Sequence, residues 1–128
     1  MGILDTVERV HLGLDYHIQR HNLLTANLSH IDTPGYRPLD MARGPSFEGA
    51  LDAALATTAP GHLPGTRATE RFQVLEDPTA LAGMDGNAVS IDREAVKIAS
   101  NQLRYDTLAT LASQTLSGLS WAANDGHG

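Results

Sequence analysis

The sequence contains no cysteine, which excludes disulfides, thiolate zinc sites and a cysteine nucleophile. Basic residues are scarce, 9 Lys+Arg against 15 Asp+Glu for a net charge of -6. Such a field repels phosphate backbones, so no nucleic-acid partner is expected. No apolar run approaches the ~20 residues that span a bilayer, so no membrane span is expected. Met1 to Glu8 has neither a basic n-region nor an apolar h-region, so no Sec-type signal peptide is expected. Aromatics make up only 5% of the chain. The hydrophobic fraction is largely Ala and Leu, which favours helix packing over a sheet sandwich.

Proline is missing from both ends. All six prolines fall between Pro34 and Pro78, which leaves two long uninterrupted stretches around a punctuated middle. In the first, Ile3, Val7, Val10, Leu14, Ile18, Leu24, Leu28 and Ile31 recur at helical spacings. Leu12, Tyr16 and Leu23 keep the same period on roughly the opposite side. A second apolar stripe on a terminal helix implies a second neighbour, such as another copy of the chain, or cover from the middle through Phe47, Leu51, Leu55 or Phe72. The helix is expected to stop near Ile31, because Thr33 precedes a proline and Pro34-Gly35 suits the centre of a type II turn.

In the middle, Ser46 can cap a short helix over 46–57 with Phe47, Ala50, Leu51, Ala54 and Leu55 on one face. Arg71 to Leu75 reads as a strand candidate, and Asp85-Gly86-Asn87 as a tight turn. The last segment starts at a cap around Ser90 to Asp92. Its Ile91, Ala95, Ile98, Gln102, Tyr105, Ala109, Ala112, Leu116 and Leu119 alternate by threes and fours, a heptad-like seam. Val96, Leu103 and Leu111 lie off that seam. The expectation is one mainly α unit over 1–128. Its N-terminal helix (1–32) and C-terminal helix (90–122) pair as an antiparallel coiled-coil-like hairpin. The irregular middle (33–89) holds the short helix and has room for a short β-hairpin.

Catalytic signals are sparse. His17 and His21 stand four apart, but the intervening Ile18-Gln19-Arg20 lacks the glutamate of a metalloprotease motif. Contacts inside a bundle or exposure to solvent account for them more simply than a metal. Asn27-Leu28-Ser29 matches a glycosylation pattern that chance produces often. There is no Gly-rich phosphate loop, nucleophile elbow or convincing carboxylate pair. No catalytic residue, cofactor or metal is assigned.

Two blocks carry a resemblance. Ala26-Asn27-Leu28-Ser29-His30-Ile31-Asp32-Thr33-Pro34-Gly35-Tyr36-Arg37 resembles the N-terminal signature of the bacterial flagellar rod and hook axial proteins. It departs at Ser29, where Ala is usual, and at His30, where Asn is usual. Asp85 to Tyr105 is similar to the C-terminal region of a proximal-rod member, and the short chain without an inserted β domain agrees. The stretch 56–83 leaves open which of the two sister proximal-rod proteins it resembles more.

The resemblance implies a structural subunit of the proximal rod in the flagellar basal body, lying in the periplasm and exported by the flagellar type III apparatus without a cleaved signal. Its implied partners are copies of itself in a helical homo-polymer, other rod proteins, and base-ring and export-gate proteins. Asn27, Asp32, Thr33, Pro34, Gly35 and Tyr36 would form the family corner, with Tyr36 as a packing anchor and Arg37 near the negative end of the helix. Packing and assembly would fall to Val7, Leu12, Leu14, Tyr16, Ile18, Leu23, Leu24 and Leu28 of the first helix. In the last helix they would fall to Ile91, Ile98, Leu103, Tyr105, Leu111, Leu116 and Leu119. The alternative is a soluble helical adaptor or export chaperone using the same helices.

Overall fold

The computed structural model describes residues 2–43 and 72–124. In chain order the elements are α1 (Ile3–Ser29), β1 (Leu39–Arg43), β2 (Phe72–Glu76) and α2 (Ile91–Ala123). The expected short helix over 46–57 lies outside the described residues. At about 1.5 Å per residue, α1 and α2 are rods of about 40 and 50 Å.

α1 begins at Gly2, whose backbone N–H donates to the Asp5 carboxylate at 3.0 Å, placing a negative charge at the positive end of the helix. It ends two residues before the expected Ile31. There the hydrogen bonds tighten to three-residue steps, from the His30, Ile31 and Thr33 N–H groups to the carbonyls of Asn27, Leu28 and His30. Pro34 and Gly35 then turn the chain. The Tyr36 N–H donates to the Thr33 carbonyl at 3.2 Å and Gly35 has φ +73°, as the third position of a type II turn requires.

β1 and β2 pair antiparallel, with Leu39 opposite Glu76, Met41 opposite Val74 and Arg43 opposite Phe72. This small sheet fills the far side of α1. Tyr16, Met41 and Phe72 are buried together with Leu23 against them, the Tyr16 and Phe72 rings stand 5.0 Å apart, and the Tyr16 hydroxyl donates to the Met41 carbonyl at 2.9 Å. Full burial of side chains of this size contributes about 1.5–3 kcal/mol each. Of the two neighbours expected for the second stripe, another copy or the chain's own middle, it is the middle that covers Tyr16 and Leu23, through Met41 and Phe72.

α1 and α2 pack antiparallel, since Gly13 meets Leu108, His17 meets Asn101 and Asn27 meets Glu94. The seam on α2 is rotated from the expected one. Ile98, Tyr105, Ala112 and Leu119 are half-buried as members of both rows. The alternate positions are Glu94, Asn101, Leu108 and Thr115, with Glu94 only 2% and Asn101 only 1% exposed. Ile91, Ala95, Gln102 and Leu116 are exposed instead. The shift has a physical cause: the two buried polar residues are hydrogen-bonded by α1, so their burial carries no unpaired group. α1 shows the same rotation, because His17 takes the inward position and Ile18 is left 46% exposed.

Candidate functional site

The corner after α1 is held by two asparagines. Asn27 is fully buried, and its amide donates to the Leu39 carbonyl at 2.7 Å and to Glu94 Oε2 at 3.0 Å. Its Oδ1 accepts from the Leu39 N–H at 3.0 Å and the Tyr36 hydroxyl at 3.3 Å. One side chain thus ties the last turn of α1 to the chain leaving the corner and to the first turn of α2. Asn87 grips from the other side, its amide donating to the carbonyls of His30, Ile31 and Thr33 while its Oδ1 accepts from the Val89 N–H. These carbonyls belong to the turn that follows α1, so the grip holds the corner itself.

Main-chain bonds complete the clasp. The Gly35 N–H donates to the Asp85 carbonyl at 3.1 Å and the Ala88 N–H to the Tyr36 carbonyl at 3.0 Å. The two sequence blocks, far apart in the chain, are therefore the two halves of one contact. Tyr36 stacks on His30 with ring centroids 4.3 Å apart. Asp32, Thr33, Pro34 and Gly35 are exposed. Arg37 reaches Glu76 at 3.9 Å with both side chains largely in solvent, a pair that contributes little.

Beside the corner lies an ion network centred on Lys97, whose ammonium donates to Asp77 and Glu94 and stands 3.7 Å from Asp40. Arg20 holds Asp40 through two bonds of 2.7 and 2.9 Å, and Arg93 donates to Thr79 and to Asp77. Burial pushes the Asp77 carboxyl up, but hydrogen bonds from Lys97 and Thr79 outweigh it and hold the group down to about 2. Asp40 is likewise lowered, burial being outweighed by Arg20 and the Met41 N–H. Lys97 is raised, because Asp77 and Glu94 outweigh its desolvation.

The expected packing residues divide. Leu24 and Tyr16 are buried, and Val7, Leu12, Leu14, Leu23, Leu28, Ile98, Tyr105 and Leu119 are half-buried. Ile91, Leu103, Leu111 and Leu116 remain exposed, as does Trp121, which sequence reasoning did not single out. Leu103 is nine residues beyond Glu94 and so half a turn round the helix from the α1 contact, with Val96 and Trp121 on the same outward side. From Thr107 to Asn124 no residue is charged. The C-terminal half of α2 thus combines the exposed Leu111, Leu116 and Trp121 with an uncharged surface.

His17 is buried, with Nδ1 2.7 Å from Asn101 Oδ1, and Asn101 Nδ2 donates to the His17 carbonyl at 2.7 Å. That carbonyl can only accept, which orients the amide and makes His17 Nδ1 the donor. With His21, Gln102 and Tyr105 it lines a recess of about 110 Å³. Among the described residues no group of three or more His, Asp or Glu side chains could hold a metal ion. No helix among them is long and apolar enough to cross a membrane.

No family model matches the chain. It is 31% identical over 122 residues to the flagellar basal body rod protein FlgB of Salmonella typhimurium, covering 84% of each chain. It is 33% identical over 101 residues to the FlgB of Cereibacter sphaeroides, covering 78% of this chain and 79% of that one. The chain belongs to the FlgB family of flagellar basal body rod proteins. The FlgB of Escherichia coli K12 is also similar, at 29% over 122 residues. Membership makes the chain a structural component of the flagellar basal body rod and not an enzyme.

Proposed function

We propose that the chain is a proximal-rod subunit that polymerises through its terminal helices, chiefly the outer face of α2, into the shaft that carries torque from the base ring to the distal rod and hook. One observation carries the reading. Val96, Leu103 and Trp121, each more than half exposed, stand on the side of α2 away from α1, on a helix whose inner seam is already filled. Apolar side chains left outward on a helix that already has an internal partner are covered in assemblies by a further neighbour. Burial at about 25 cal/mol per Å² of apolar area supplies the association energy.

The partners in this reading are other copies of the chain, other rod proteins, and the base-ring and export-gate proteins beneath, with delivery by the flagellar export apparatus without a cleaved signal. The buried corner gives each subunit a fixed shape: Asn27 and Asn87 set the angle at which the chain leaves α1, and the residues of the corner, Asp32 to Gly35, stay on the surface for neighbours. A photo-crosslinking amino acid at position 103 tests the reading in motile cells. Crosslinks from purified basal bodies to a second copy or another rod protein are expected. Crosslinks confined to a soluble export complex would favour the adaptor alternative.

A further inference from the structure

α2 carries two overlapping heptad rows. Both contain Ile98, Tyr105, Ala112 and Leu119. The row packed on α1 is completed by Glu94, Asn101, Leu108 and Thr115; its rival is completed by Ala95, Gln102, Ala109 and Leu116, while Ile91, seven residues before Ile98, falls in the shared column. The rival row is the more apolar, and it differs by about 50° of helix rotation, half of the ~100° step per residue. Burial of apolar surface alone would choose it. Yet Ala95, Gln102 and Leu116 are exposed, Leu116 by 56%, while Glu94 and Asn101 are almost completely buried.

What outweighs apolarity is polar pairing. Asn101 exchanges two hydrogen bonds with His17 of α1, one to the ring and one to the carbonyl. Glu94 accepts from Asn27 of α1 through one oxygen and from Lys97 through the other. Rotation toward the rival row would break the contacts to α1 and leave several buried groups without partners. A buried polar residue at a seam position fixes register and face in coiled coils at some loss of stability.

We propose that the His17–Asn101 and Asn27–Glu94 layers select which face of α2 receives α1, and thereby keep Ala95, Gln102 and Leu116 on the surface. The selection is a property of the isolated chain and does not depend on the rod reading, although that reading uses the surface it leaves free.

The absence of native cysteine makes the test clean. A Cβ at Gly13 would stand 2.8 Å from a Leu108 methyl carbon, so Gly13→Cys with Leu108→Cys reports the present row, and Gly13→Cys with Ala109→Cys reports the rival. The first pair is expected to form its disulfide far faster than the second. In a His17→Ala/Asn101→Ala/Glu94→Ala background, which removes both layers but leaves Asn27 its bond to the Leu39 carbonyl and Lys97 its bond to Asp77, that rate ratio is expected to fall at least about tenfold. The milder His17→Ala/Asn101→Ala background should shift it in the same direction, and helical circular dichroism with a cooperative melt checks that each is folded. An unchanged ratio in a folded variant would overturn the proposal. Failure of both variants to fold would overturn it too, by making the layers stabilising rather than selective.

Discussion

The Asn87 amide stands 2.6 Å from the Thr33 carbonyl, a contact bridging 54 residues of sequence. The same nitrogen is 2.9 Å from the His30 and Ile31 carbonyls, so one donor group from the segment before α2 closes the end of α1. The C-terminal sequence block fastens the turn into which the N-terminal block runs.

Replacing this donor should therefore be felt at a distance. Asn87→Ala removes the buried side chain that ties these three carbonyls together and is expected to cost about 1–3 kcal/mol. Asn87→Asp should cost more, because a carboxylate would face carbonyls at the negative end of the helix dipole. Urea denaturation of the two variants checks the order; an aspartate variant as stable as the original chain would contradict the assigned donor role.

The two glycines of the clasp should differ. Gly35 has φ +73° and nothing within 4 Å of an added Cβ, whereas Gly86 has φ +76° and its Cβ would stand 3.3 Å from the Gly35 Cα. Gly35→Ala is expected to cost about 1–2 kcal/mol, the penalty of the left-handed conformation alone. Gly86→Ala adds a backbone contact that cannot swing away and should cost more. Thermal melts of both variants measure the difference, and equal losses would mean that the clasp relaxes freely.

Much of the molecule was legible before its structure, and the exceptions have causes. Both long helices follow from apolar residues recurring at helical spacings with no proline between them, and the corner follows from Pro34-Gly35. Apolarity alone places the seam one residue off at alternate positions. Glu94 and Asn101 qualify only through partners 67 and 84 residues away, which no local pattern displays. β1 was not foreseen either: Leu39-Asp40-Met41-Ala42-Arg43 has no β-branched residue, and it forms a strand by pairing with β2 under Tyr16.

Acid should loosen the ion network first. Asp77 titrates at about 2 in the folded chain against 3.8 for the ordinary group, so the folded state binds fewer protons than the unfolded state in that interval. The stability this group contributes is complete above about pH 4 and is lost as pH falls toward about 2. Asp40 is shifted in the same direction. The raised Lys97 contributes stability that is full below its ordinary value of 10.5 and declines above it. Denaturation midpoints measured from pH 5 down to 2, values chosen at roughly the ends of this window, should fall less steeply for Asp77→Asn than for the original chain. Parallel profiles would remove Asp77 from the account.

The most direct test of assembly through the outer face of α2 is a Leu103→Glu/Trp121→Glu replacement in the chromosomal gene. These side chains are 69% and 61% exposed, so the purified chain should melt within a few degrees of the original, roughly the change expected of surface substitutions. Cells carrying it are expected to lose swimming and to yield no complete rods. Normal swimming with intact rods, in cells making the folded double variant, would contradict the account.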